Sequence, residues 1–147
     1  MSDKNIQNAA DHYAELLRSI NGVALKKAEK DERSNTYDII FSYKDDITMA
    51  IFLDYDDAPF VRFVLPNFFD ITEGVRRRAY ERACETSRVA KCVKVFLNQD
   101  EDDSIATVEF LDGSIEEGDG RGMTGTQLER YLDMLLSAAS TFSSKMS

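Results

Sequence analysis

The chain predicts an α+β fold: an antiparallel sheet with helices packed on one face. Three observations carry this. Residues 4 to 21 and 126 to 142 repeat apolar side chains at helical spacing. The runs 36 to 44, 47 to 55, 60 to 65 and 105 to 111 alternate apolar and polar residues with the period of a half-buried strand. The turns between them are polar and too short for a parallel crossover, so neighbouring strands run antiparallel.

Taken in order, the first helix presents Ile6, Ala9, Ala10, Tyr13, Leu16, Leu17 and Ile20 on one stripe, and Asn21-Gly22 supplies its stop. Val23 to Lys30 is a weak strand suited to an edge. Tyr37, Ile39, Phe41 and Tyr43 share one face of the next strand, then Ile47, Met49, Ile51 and Leu53, then Val61, Phe63 and Leu65, with Pro66-Asn67 ending that segment. A second helix is predicted from about Glu73 to Ala90, capped by Asp70 or Thr72, with Ala79, Ala83 and Ser87 allowing close approach to a neighbour. Lys91 to Asn98 and Ile105 to Leu111 form a hairpin around an acidic turn. A glycine-rich loop from Asp112 to Gly125 leads to the last helix, with Leu128, Tyr131, Leu132, Leu135, Leu136, Ala139 and Phe142 as its stripe, and the SSKMS tail is expected to fray. The predicted order is α-β-β-β-α-β-β-α, with one optional early strand, in a single domain spanning 1–147 whose ordered core runs from about 4 to 142.

The 147 residues suit one domain, and 43% hydrophobic with 31% charged is ordinary globular composition. Eighteen Lys+Arg against 27 Asp+Glu leave a net charge of −9, the opposite of a phosphate-binding footprint, so no nucleic-acid partner is expected. Nine of the acids fall between residues 95 and 120 without one Lys or Arg, and the rest of the chain is neutral. No apolar run of about 18 residues predicts a membrane span. The polar N-terminus shows no secretory signal, and Cys84 and Cys92 make no disulfide framework, so a cytoplasmic location with reduced thiols is expected.

The chemical inventory is poor. His12 is the single histidine and reads as a solvent-facing helical residue. Cys84 and Cys92, eight residues apart, lack the short step of a structural zinc site, so no metal is expected. Cys84 follows Arg76, Arg77, Arg78 and Arg82, and nearby cations can activate a thiol, which keeps a thiol-dependent or small-ligand enzyme as the alternative reading. Ion pairing with Glu73, Glu81 and Glu85 accounts for the arginines more simply. Asp100-Glu101-Asp102-Asp103 fails the EF-hand pattern, with Ile105 at the sixth place and Leu111 at the twelfth. Gly120-Arg121-Gly122-Met123-Thr124-Gly125 spells G-x-G-x-x-G but lacks the following parallel strand of a dinucleotide site. It is read as a flexible loop whose Thr124 or Thr126 caps the last helix. No cofactor and no catalytic residue is predicted.

One feature stands out. If the alternating apolar set faces the helices, the opposite sheet face carries Ile40, Ala50, Phe52, Phe60, Arg62, Val64, Phe96, Ile105 and Leu111 among polar neighbours. Such a face should be mostly polar, and each phenylalanine buried there would contribute roughly 1.5–3 kcal/mol. Ile40, Phe52, Arg62, Val64 and Phe96 are therefore the candidate protein-binding residues. Phe63 alternates onto the core side and is not among them.

The layout resembles the YbjN-domain family, which shares the fold of type III secretion chaperones. The resemblance rests on ACETSRVAKCVK (Ala83 to Lys94), on Lys94-Val95-Phe96-Leu97 with its acidic turn, and on Thr126-Gln127-Leu128-Glu129-Arg130-Tyr131-Leu132; in layout it covers roughly residues 4 to 142. The Gly118–Gly125 loop departs from the family by lengthening the last connection. The resemblance implies a non-catalytic, chaperone-like or regulatory domain that binds other proteins, and many such domains are dimers. Together these readings predict a homodimer acting on a protein partner.

Overall fold

The structure, a computed structural model, describes residues 3–98, 100 and 102–147. Its elements are α1 (Asp3–Ser19), β1 (Val23–Asp31), β2 (Thr36–Tyr43), β3 (Ile47–Asp54), β4 (Phe60–Asp70), a 3-10 turn (Glu73–Val75), α2 (Arg76–Val89), β5 (Lys94–Leu97), β6 (Asp103–Leu111), α3 (Gly113–Glu117) and α4 (Gly125–Met146). The six strands form one antiparallel sheet in the order β1-β2-β3-β4-β6-β5, so the α+β expectation holds. The weak Val23 run is the optional early strand, a nine-residue edge strand, and the element order departs from expectation where a short helix, α3, interrupts the glycine-rich loop.

The chain gathers into two compact units, one running to Phe63 and including Glu109–Arg130, the other made of Val64–Val108 and Tyr131–Ser147. In the first, α1 buries Ile6, Ala9, Ala10, Tyr13, Ala14 and Leu17, the face its periodicity predicts. Opposite it, the β2–β3 register pairs Tyr37 with Leu53, Ile39 with Ile51 and Phe41 with Met49, so one pleat face carries the core. A one-residue slip would turn all of them outward. Tyr13 meets Phe63 edge-on at 6.0 Å, and Phe63 meets Phe110 at 5.1 Å, which places Phe63 in the core.

Asp112 organises the end of this unit. It is buried (8% exposed), accepts a hydrogen bond from the Tyr13 hydroxyl at 2.9 Å, and caps α3 by accepting from the Ser114 backbone N–H at 3.0 Å and the Ser114 hydroxyl at 2.6 Å. Gly118, at φ 98°, ends α3 in the left-handed conformation glycine tolerates. Gly120 lies so close to α1 that a Cβ would fall 2.7 Å from the Ala9 backbone. The G-x-G-x-x-G stretch is thus a packed connection rather than a flexible one. It ends in a capping box: Gln127 N–H donates to Thr124 Oγ1 at 3.1 Å, and Thr124 N–H donates to Gln127 Oε1 at 3.0 Å.

In the second unit β4 runs on through Pro66 and Asn67 to Asp70, although proline gives no ladder N–H and Asn67 sits at φ 52°. The extension carries Phe68 and Phe69, which meet Phe142 edge-on at 5.6 and 5.4 Å. The anchored α4 continues to Met146, itself buried, so the tail does not fray. Its last carbonyls find donors on α2: Arg78 Nη2 to Met146 O at 2.9 Å and Arg82 Nε to Lys145 O at 3.3 Å. β5 starts only at Lys94 because Cys92 adopts φ 62°, outside strand geometry. Ser87 of α2 extends its ladder, accepting from Val95 N–H at 2.7 Å and donating to Val95 O at 3.0 Å. Glu101 of the acidic turn lies outside the described residues. Phe142→Ala is expected to lower stability by about 3–5 kcal/mol in urea unfolding, since it removes the ring between two phenylalanines; a cost below about 1 kcal/mol would contradict the packing.

Candidate functional site

In the first unit, α1 and α3 lie together on the core face of the sheet. The other face is laid out by strand register. Glu29 pairs with Asp38, which pairs with Phe52; Lys27 pairs with Ile40, which pairs with Ala50. A bulge between Leu25 and Lys27 resets β1 so that Lys27 joins this face. Alternation adds Phe60 and Arg62 from β4 and Glu109 and Leu111 from β6.

Charged side chains dress the apolar residues of this face. The Arg62 guanidinium carbon stands 5.5 Å from the centre of the Phe60 ring, and Arg62 pairs with Glu109 at 3.8 Å. Lys26 reaches Thr48 Oγ1 at 3.3 Å. Ala50 is buried, while Ile40, Phe52 and Phe60 are half-buried. Leu111 is 69% exposed, the largest value among the exposed large hydrophobic residues. This face offers a cluster of half-covered apolar side chains around a surface ion pair.

Of the five predicted residues, Ile40, Phe52 and Arg62 share this face. Val64 and Phe96 belong to the second unit. There Phe96 pairs with Ile105 and Lys94 with Thr107. Lys94 Nζ lies 5.2 Å from the Phe96 ring centre, leaving Phe96 36% exposed, whereas Val64 is only 8% exposed and Thr107 is buried. Phe60 and Leu111 are the contributors outside the predicted five. Alternation places both on the face, but it cannot show that Leu111 stays open at the end of β6.

The remaining chemical candidates fall as follows. His12 is half-buried rather than solvent-facing, and its Nε2 donates to Met123 O at 2.8 Å. Both cysteines are exposed thiols. Arg82 pairs with Glu85 at 2.9 Å and Arg77 with Glu81 at 3.8 Å, the pairing the sequence suggested. Among the described residues, no group of three His, Cys, Asp or Glu could hold a metal ion, and no helix is long and apolar enough to cross a membrane.

Electrostatically, Asp38 is the perturbed carboxyl group on the open face. Burial beside Phe52 pushes its carboxyl up, the Thr36 hydroxyl donating to it works against the shift, and repulsion from Asp31 adds to it. The folded Asp38 therefore keeps its proton to higher pH than the unfolded one. Stability linked to this group is gained as pH falls through the raised folded value towards the ordinary carboxylate value, and is lost as pH rises. Asp38→Asn should accordingly raise the melting temperature at neutral pH, with the difference closing in acid; thermal melts of both proteins across that range check it, and an equal Tm at neutral pH contradicts it.

No protein-family model matches the chain, and no curated protein matches it. The structure is similar to the crystal structure of an uncharacterized protein from Methanothermobacter thermautotrophicus, with a TM-score of 0.70 and 12% sequence identity, covering 94% of this chain and 96% of that one. At that identity the likeness is one of fold.

Proposed function

We propose that the chain is a non-catalytic protein-binding module of the cytoplasm, chaperone-like or regulatory, that acts as a homodimer and engages partners through the sheet face turned away from α1. One observation carries the reading: the first unit holds Ile40, Phe52 and Phe60 half-buried and Leu111 exposed on the sheet face opposite the one against which α1 packs. Apolar side chains gain from a cover, and the Arg62–Glu109 pair with Lys27, Glu29 and Asp38 gives the surroundings a mixed-charge rim. The resemblance to the YbjN-domain family, with its type III secretion chaperone-like fold, points the same way. The chemical inventory offers little for catalysis, and the net charge of −9 favours a polypeptide partner over a nucleic acid.

Sedimentation equilibrium tests this. The wild-type chain is expected to run as a dimer at tens of micromolar. Leu111→Glu, an exposed site whose change leaves the core intact, should weaken dimerisation at least about tenfold, or roughly 1.4 kcal/mol. Phe52→Gln should act in the same direction. A wild-type monomer throughout that range that also binds no apolar dye would overturn the proposal.

A further inference from the structure

We infer that His12 is an acid-sensitive latch for the loop that starts α4. Two side chains one helical turn apart on α1 hold the ends of this loop. Asn8 Nδ2 donates to Gly118 O at 2.9 Å, and His12 Nε2 donates to Met123 O at 2.8 Å. Between them Gly120 rests against the Ala9 backbone and the Met123 side chain is buried, so the segment is pinned along α1. The residue after Met123 is Thr124, the cap of α4.

Only one of the two clasps can change charge. A carbonyl oxygen only accepts, so the neutral ring bound to Met123 O carries its hydrogen on Nε2. The other nitrogen, Nδ1, is buried without a hydrogen-bond partner. Protonation must therefore put a second N–H, and a positive charge, where nothing accepts it, an arrangement proteins avoid. The charged groups on the surrounding elements are Asp3, Lys4, Asp11, Glu15 and Arg18 of α1, Asp112 at the cap of α3 with Glu116 and Glu117, Asp119 and Arg121 of the loop, and Glu129 and Arg130 at the start of α4; all but the buried Asp112 are exposed. Asp11 accepts from Gln7 at 2.8 Å and Asp119 from the Arg121 N–H at 3.1 Å. An imidazolium satisfies its second N–H by turning out towards water. Turning gives up Met123 O and frees the capped end of α4. His12 is the only imidazole in the chain, and imidazole is the side chain best suited to take up a proton in mild acid.

Hydrogen exchange of the intact chain at about pH 5.5 and about pH 7.5, corrected for intrinsic rates, reads this directly. In the wild type, protection across residues 119 to 124 should fall roughly threefold or more at the lower pH. His12→Gln, whose amide can hold Met123 O but takes no proton, should lose that pH response. Asn8→Ala should weaken protection at both values and keep the response. Equal wild-type protection at the two pH values would overturn the latch, a comparison that needs no variant to fold. So would an unchanged response in a folded His12→Gln.

Discussion

The buried carboxylate of Asp112 is the constraint on which the first unit turns. It accepts the Tyr13 hydroxyl from the centre of α1 and caps α3, while its own N–H donates to Pro59 O at 2.6 Å. A carboxylate this enclosed is costly unless its oxygens are filled, and here each oxygen has a donor. The consequence is positional. With Tyr13 tied to Asp112, α1 sits with its apolar stripe against Phe63 and the β2–β3 core pairs. The glycine segment after α3 is drawn so close to α1 that Gly120 has no room for a side chain. The helices of this unit are thereby committed to one side of the sheet, and the opposite side is left to side chains alone.

That second side shows how a folded chain handles apolar surface it cannot bury under a helix. Arg62 stands over Phe60, keeping its charge in water while shielding the ring. The result is neither a bare patch nor a solvated polar face. Leu111 has no cover of this kind at the end of β6.

Much of this was legible in the sequence because it depends on local rules. The helical stripe of α1, the alternation of β2 and β3 and the T-x-x-Q box at Thr124 each express a repeat or a cap that residues within one turn or one strand determine. The failures share a cause. Pro66-Asn67 reads as a stop, yet β4 continues because Phe68 and Phe69 pack on Phe142, a contact far along the chain. The SSKMS tail reads as loose, yet Arg78 and Arg82 supply its carbonyls with donors. α3 is signalled only by a capping aspartate and a stopping glycine, since five residues show no period. At the candidate site, alternation put Ile40, Phe52 and Arg62 on one face, but whether a residue there is open or covered depends on neighbours across the strands, as the contrast between Val64 and Leu111 shows.

The sequence by itself determined the α+β class, the antiparallel pairing, the core-facing side of α1, β2, β3 and α4 and the short supply of catalytic groups, because hydrophobic period and composition are properties of a linear chain. Only the tertiary structure decided that His12 clasps a loop, that the glycines are packed against a helix, and how much of the second sheet face stays open. Those outcomes depend on distances between residues tens of positions apart, where a single donor or a missing Cβ decides whether two segments meet.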